Sequence, residues 1–98
     1  MTDSDCLTIA ALRAAPEAYQ LIDVRGPEEF AAAHIPGARN VPLDRLAREA
    51  ASLPKTLRPV TVCGKGGGRS AEGAAMLRAS GRADAAWLCG GTNAWMGS

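Results

Sequence analysis

Apolar positions at helical spacing alternate with short, nearly continuous apolar runs along the chain. The runs predict strands at residues 19–24, 38–41, 60–62 and 85–88. The segments between them predict helices at residues 9–15, 27–33, 43–53 and 70–80, with a final helical turn around residue 95. Strands separated by helices are typical of an α/β fold, in which helices cover both faces of a parallel sheet.

Several residues indicate where these elements begin and end. Thr8 is a suitable N-cap for the first helix, and Pro27 suits the first turn of the second. Gly81 is predicted as the C′ residue of the helix at 70–80, and Thr92 as the cap of the last helical turn. Two prolines bracket a predicted loop at residues 54–59.

Three residues with chemical potential come at or just after the carboxyl ends of the predicted strands, namely Asp23, Cys63 and Cys89. In open parallel sheets, ligands bind at this edge. We therefore expect the functional site to lie where these strand ends meet.

Composition narrows the function classes. The 98 residues fit a single domain spanning residues 1–98, with 47% hydrophobic residues, 21% charged residues and a net charge of +1. We expect neither a nucleic-acid nor a membrane partner, because there is no basic stripe, signal peptide or apolar span. Three widely spaced cysteines match neither a disulfide framework nor a zinc pattern. We therefore expect a reducing, cytoplasmic setting with at least one free thiol, and no metal or cofactor.

The strongest chemical pattern is a strand that leads into Cys63, followed by a glycine-rich turn and a helix. Glycines allow backbone N–H groups to converge, and such groups beside a helix N-terminus bind anions and stabilise a thiolate. No acidic residue lies between Ala50 and Ala71, where four basic residues do. Cys63 is therefore the candidate nucleophile. The candidate substrate-binding residues are Gly64, Lys65, Gly66, Gly67, Gly68, Arg69 and Ser70.

Two other interpretations of this segment stay open. A cysteine after a strand is often a small buried hydrophobic residue, and a glycine-rich loop can simply bind phosphate. The known nucleotide motifs do not fit, because Lys65 precedes the glycines and Arg69 replaces the last glycine of GxGxxG.

Motifs spread from about residue 8 to residue 95 resemble the rhodanese family. They are Asp23-Val24-Arg25, Glu29-Phe30, His34-Ile35-Pro36-Gly37-Ala38, Asn40-Val41-Pro42, the segment from Cys63 to Ser70, and Leu88 with Gly90-Gly91 and Trp95. The resemblance implies a five-stranded parallel sheet flanked by helices. It also implies a sulfurtransferase in which Cys63 takes sulfur from a small anionic donor such as thiosulfate. The resulting persulfide would pass its sulfur to cyanide, a thiol or a partner protein.

The loop departs from the family pattern by one residue, since Arg69 lies six positions after Cys63 rather than five. This spacing also resembles rhodanese-related cell-cycle phosphatases and arsenate reductases, and the rhodanese domain of tRNA selenouridine synthase. A phosphatase needs a general acid, but the loop contains no Asp or Glu, and Glu72 follows it. A non-catalytic persulfide carrier is the third alternative.

Four further residues have expected roles. Asp23 is expected to pair with Arg25 in support of the site, and His34 to bond the backbone of the turn at residues 35–37. Cys89 is expected to be a small packed residue. The alternative for Cys89 is a thiol that resolves a Cys63 persulfide, because the resemblance makes their strands neighbours.

Overall fold

Five parallel strands form one sheet with helices on both faces in the computed structural model, which describes residues 6–98. The strands are β1 (Cys6–Leu7), β2 (Tyr19–Asp23), β3 (Arg39–Asn40), β4 (Arg58–Val62) and β5 (Ala86–Leu88). The helices are α1 (Ile9–Ala14), α2 (Pro27–Ala32), α3 (Leu43–Glu49), α4 (Gly68–Ala79) and α5 (Gly91–Met96), with 3₁₀ turns at Pro16–Ala18 and Ala50–Ser52. Within residues 6–98, none of the helices is both long enough and apolar enough to cross a membrane.

The sheet has the strand order β1-β5-β4-β2-β3 and is parallel throughout, as predicted. The four strands predicted from apolar runs are present. The fifth, β1, was not located by sequence pattern, because two residues are too short to show alternation. Pro59 lies inside β4 rather than in a loop. It pairs with Gln20 of β2, and the pairing of β4 with β5 begins only at Val60.

Helix ends follow the predicted signals in most places. Thr8 caps α1, its Oγ1 accepting a hydrogen bond from the Ala11 N–H at 3.1 Å. Gly81 has φ +105° and donates to the Arg78 carbonyl as a C′ residue. The prediction that Thr92 caps the last helix is wrong, since α5 begins at Gly91 and Gly90 is the N-cap. Likewise α4 begins two residues earlier than predicted.

The core is divided into two layers by the sheet. One layer packs α1 and α5 against β2, β4 and β5. Leu12 of α1 and Leu88 of β5 are buried in this layer, and Trp95 of α5 packs against it. The other layer lies under α3 and α4 and includes Leu46, Leu77 and Cys63. Cys63 therefore directly follows the central strand and is packed at the top of the second layer.

Candidate active site

The Cys63 thiol is free and 4% exposed, just beyond the carboxyl end of β4. Its Sγ lies 3.3 Å from the carbonyl oxygen of Gly67 and 3.2 Å from the hydroxyl of Ser70. The Ser70 hydroxyl in turn donates to the Gly67 carbonyl at 2.9 Å. The hydrogen-bond partners of the sulfur are thus a carbonyl and a hydroxyl, rather than the backbone N–H groups that the glycine pattern suggested.

Three consecutive glycines shape the loop that follows the cysteine. Gly66, Gly67 and Gly68 have φ values of +83°, +72° and +46°, a region that side-chain-bearing residues rarely adopt. The turn they make ends as α4 begins, where the Ser70 N–H donates to the Gly67 carbonyl at 3.0 Å. The predicted strand, glycine-rich turn and helix are therefore all present around the sulfur.

The start of α5 holds the first half of this loop in place. The Thr92 N–H donates to the Cys63 carbonyl and the Asn93 N–H to the Gly64 carbonyl, both at 2.9 Å. Gly91 makes the approach possible, because a Cβ there would lie 2.5 Å from the Cys63 carbonyl oxygen. Thr92 therefore acts through its backbone, and its buried Oγ1 has no hydrogen-bond partner within residues 6–98.

An open pocket of about 580 Å³ lies over the sulfur, with the lining residues Cys63, Gly64, Lys65, Gly66, Gly67, Gly68, Arg69 and Asn93. Ser70, also predicted to bind substrate, is fully buried beneath the pocket and contacts the sulfur instead. Sequence reasoning missed Asn93. No motif marks it, since only the packing of α5 against the loop brings it to the pocket.

Arg69, which lines the pocket, is ion-paired with Glu29, a residue for which no role at the site was expected. Arg69 Nη1 and Nη2 lie 3.2 and 3.4 Å from the two Glu29 carboxylate oxygens, and both side chains are about half exposed. The hydrogen bonds that Glu29 accepts, from Arg69 first and then from the Gly26 N–H, lower the pKa of its carboxyl. The side-chain hydrogen bond to Glu29 raises the pKa of Arg69.

Asp23 pairs with Arg25, as expected. The buried carboxylate accepts the Arg25 backbone N–H and the guanidinium, with Nη2 at 2.8 Å from Oδ2. This hydrogen bonding outweighs the desolvation that opposes it and raises the pKa of Arg25. Arg25 also donates to the Ala33 carbonyl, and the Asn40 amide donates to the carbonyls of Asp23 and Arg25. The pair therefore fastens the chain between β2 and β3 beside the site.

His34 is not bonded to the turn at residues 35–37, so that prediction is wrong. Its Nδ1 lies 2.7 Å from the Phe30 carbonyl at the end of α2, and its ring stacks on Phe30 at 3.8 Å between centroids. Phe30 lies four residues before His34, within α2, so this contact is local in sequence. Within residues 6–98, no group of three His, Cys, Asp or Glu side chains is placed to hold a metal ion.

Cys89 is bonded to Cys6, which corrects the expectation that the cysteines form no disulfide. Their Cα atoms are 5.2 Å apart across 83 residues of sequence. The partnership arises because β1 pairs with β5 and the Cys89 N–H donates to the Leu7 carbonyl at 2.9 Å. The expected neighbour relation of β4 and β5 is confirmed, but Cys89 is not a free thiol beside Cys63.

Comparison with known proteins finds one family and several related structures. The model of the rhodanese-like domain matches residues 8–98. The protein YqhL of Bacillus subtilis is 40% identical over 93% of this chain and 71% of its own length. MoeZ of Mycobacterium tuberculosis, named as a probable adenylyltransferase/sulfurtransferase, is 43% identical over 76% of this chain, which spans 19% of MoeZ. The structure of the human single-domain sulfurtransferase TSTD1 has a TM-score of 0.84 at 27% identity, covering 96% of both chains.

Proposed function

Because the chain belongs to the rhodanese-like domain family, we propose that it is a sulfurtransferase that moves sulfane sulfur through a persulfide on Cys63. The donor is thiosulfate or a similar small anion, and the acceptor is cyanide, a thiol or a partner protein. One observation supports this most directly. The only free thiol among residues 6–98 lies under an open pocket whose lining includes two basic side chains, Lys65 and Arg69.

The proposed reaction has two half-steps. The Cys63 thiolate attacks the outer sulfur of thiosulfate, forming the Cys63 S–S bond as the S–S bond of the donor breaks and sulfite leaves with the electron pair. An acceptor thiolate or cyanide then attacks the outer sulfur of the persulfide. This attack yields an acceptor persulfide or thiocyanate and restores the Cys63 thiolate.

The buried side chain of Ser70 also has a role in this scheme. Its hydroxyl donates to the Gly67 carbonyl while lying 3.2 Å from the sulfur. A hydroxyl hydrogen can rotate about its C–O bond, so Ser70 can turn its donor toward the sulfur when a thiolate or persulfide anion forms. We propose that Ser70 stabilises those anions from below, while Lys65 attracts the donor from the pocket mouth.

The carboxyl group that is paired with Arg69 favours sulfur transfer over hydrolysis of a phosphate ester. Glu29 is ion-paired with the loop residue Arg69. A carboxyl of ordinary pKa is already deprotonated near neutral pH, and the hydrogen bond from Arg69 lowers the pKa of Glu29 further. A general acid must be protonated at working pH. Glu29 is therefore poorly suited to protonating a leaving group, whereas sulfite leaves as an anion and needs no proton.

Intact mass spectrometry tests the proposal. Incubation with thiosulfate should add one sulfur atom to the protein, and Cys63→Ser should prevent the addition. The control is the double variant Cys6→Ser/Cys89→Ser, which should still gain one sulfur atom. Turnover with free thiosulfate and cyanide distinguishes an enzyme from a persulfide carrier, which would gain sulfur without turning over. Absence of any added sulfur on wild-type protein would overturn the proposal.

A further inference from the structure

Arg69 lines the pocket, but its guanidinium is already occupied by the carboxylate of Glu29. The contacts of 3.2 and 3.4 Å join both Nη atoms to both carboxylate oxygens. Such two-point pairing restricts orientation as well as contributing energy. Glu29 is itself anchored, because its Oε1 accepts the Gly26 N–H at 3.2 Å in the first turn of α2. Contacts with Arg69 and with the Gly26 N–H therefore both orient the Glu29 carboxylate.

The charge available to a bound anion is smaller than the basic residues suggest. Arg25 is balanced by Asp23, and Arg69 by Glu29. Lys65 is exposed on the pocket wall and forms no ion pair within the described part of the chain. A donor with two negative charges thus meets one unbalanced positive charge, unless Arg69 leaves Glu29.

We propose that Glu29 is a specificity-determining residue that acts through Arg69: its carboxylate weakens the binding of dianionic donors such as thiosulfate and leaves the binding of neutral or singly charged persulfide donors unchanged. The inference rests on the proposed function and refines its donor. With an alkyl persulfide, the Cys63 thiolate takes the outer sulfur and its proton, and the alkyl thiolate leaves. A dianion must compete with the Glu29 carboxylate for Arg69. Because exposed ion pairs are weak, the penalty on its binding is about twofold to fivefold.

The variant Glu29→Gln tests this directly. It removes the charge but keeps an oxygen to accept the Gly26 N–H, so that the first turn of α2 stays capped. We expect KM for thiosulfate to fall about twofold to fivefold with kcat unchanged. KM for 2-hydroxyethyl hydropersulfide should not change. Glu28→Gln is the matched control, since Glu28 is exposed in the same turn and should leave both KM values as in wild type.

If the effect of Glu29→Gln depends on Arg69, the proposed role is distinguished from a general effect of removing a negative charge. In an Arg69→Ala background, Glu29→Gln should no longer change KM for thiosulfate. A change that persists there, a change of equal size with both donors, or the same change in Glu28→Gln would each overturn the proposal.

Binding to the inactive protein separates this proposal from the sulfurtransferase proposal itself. In a Cys63→Ser background, calorimetry should show that Glu29→Gln tightens thiosulfate binding about twofold to fivefold. This measurement needs no sulfur transfer. Unchanged binding overturns the role of Glu29, while failure of wild-type protein to gain sulfur overturns only the reaction.

Discussion

The two places where this chain uses cysteine differ in almost every physical respect. Cys63 is a buried, unpaired thiol at the end of the central strand, beneath a loop of glycines that leaves its pocket open. Cys6 and Cys89 are partly exposed and bonded to each other at the edge of the sheet, where β1 meets β5. The first place leaves a thiol free beside a pocket, and in the second place a disulfide holds a two-residue strand.

The two places are nevertheless connected through the turn that follows β5. A Cβ on Gly66 would lie 3.2 Å from the Leu88 carbonyl and 2.7 Å from the Gly90 nitrogen, the two peptide groups that flank Cys89. The loop over the Cys63 thiol therefore rests on the backbone of the bonded cysteine. The comparison teaches that strand position and neighbours, rather than residue type, separate the free thiol from the disulfide-bonded cysteines.

The largest expected effect is on activity and comes from the reactive thiol. Cys63→Ser should lower sulfur transfer at least about 10³-fold, because a serine hydroxyl is not ionised at neutral pH. Steady-state assays with thiosulfate and cyanide provide the measurement. Cys6→Ser/Cys89→Ser should retain sulfur transfer, and loss of activity in this double variant alone would reverse the assignment of the two places.

The next effect is on stability and comes from the bonded pair. Reduction of the disulfide, or the double variant Cys6→Ser/Cys89→Ser, should lower the free energy of unfolding by about 2–4 kcal/mol, because the bond closes a long loop in the unfolded chain. Denaturant unfolding with and without a reductant measures it. If the wild type unfolds identically in both conditions, the pair is a dithiol in solution, as the expected cytoplasmic setting would favour.

A smaller effect on stability is expected from a substitution in the turn that joins the two places. Gly91→Ala should cost about 1–3 kcal/mol, since Gly91 has φ +61° and an added Cβ would lie 2.5 Å from the Cys63 carbonyl oxygen. Denaturant unfolding gives the cost. Gly64→Ala is the control, because a Cβ there meets no atom within 4 Å and the residue does not have a positive φ. Equal costs for the two variants would show that the close approach does not matter.

The smallest effect is the pH dependence contributed by the ion pair at the pocket mouth. The pKa of Glu29 is lowered from its ordinary value of 4.5 in the folded chain, chiefly by Arg69. Its contribution to stability is therefore fully present above pH 4.5 and is lost as pH falls through the lowered folded pKa. As pH is lowered from above 4.5, the denaturant midpoint of unfolding should fall less in Glu29→Gln than in wild type. An identical acid dependence would contradict the pairing.

Much of the site was predictable because its residues are neighbours in sequence. An apolar strand, a cysteine, several glycines and a helix within about twenty residues predict the placement of Cys63 and its loop, and the structure brings them together as expected. The pairing of Asp23 with Arg25 was predictable for the same reason. The five-strand count and the neighbour relation of β4 and β5 came only with the resemblance, because a two-residue strand leaves no pattern, and the full strand order came from the structure.

The sequence by itself thus determined the α/β alternation, the position of Cys63 at the end of a strand and the glycines that permit its loop, since each depends on local preference and short spacing. Only the tertiary structure decided the contacts between distant segments. It joins Cys6 to Cys89, brings Asn93 to the pocket and pairs Glu29 with Arg69. These contacts depend on which strands are neighbours and on how α2 and α5 pack against the loop. Such packing is set by the summed burial of the whole core, which no local pattern records.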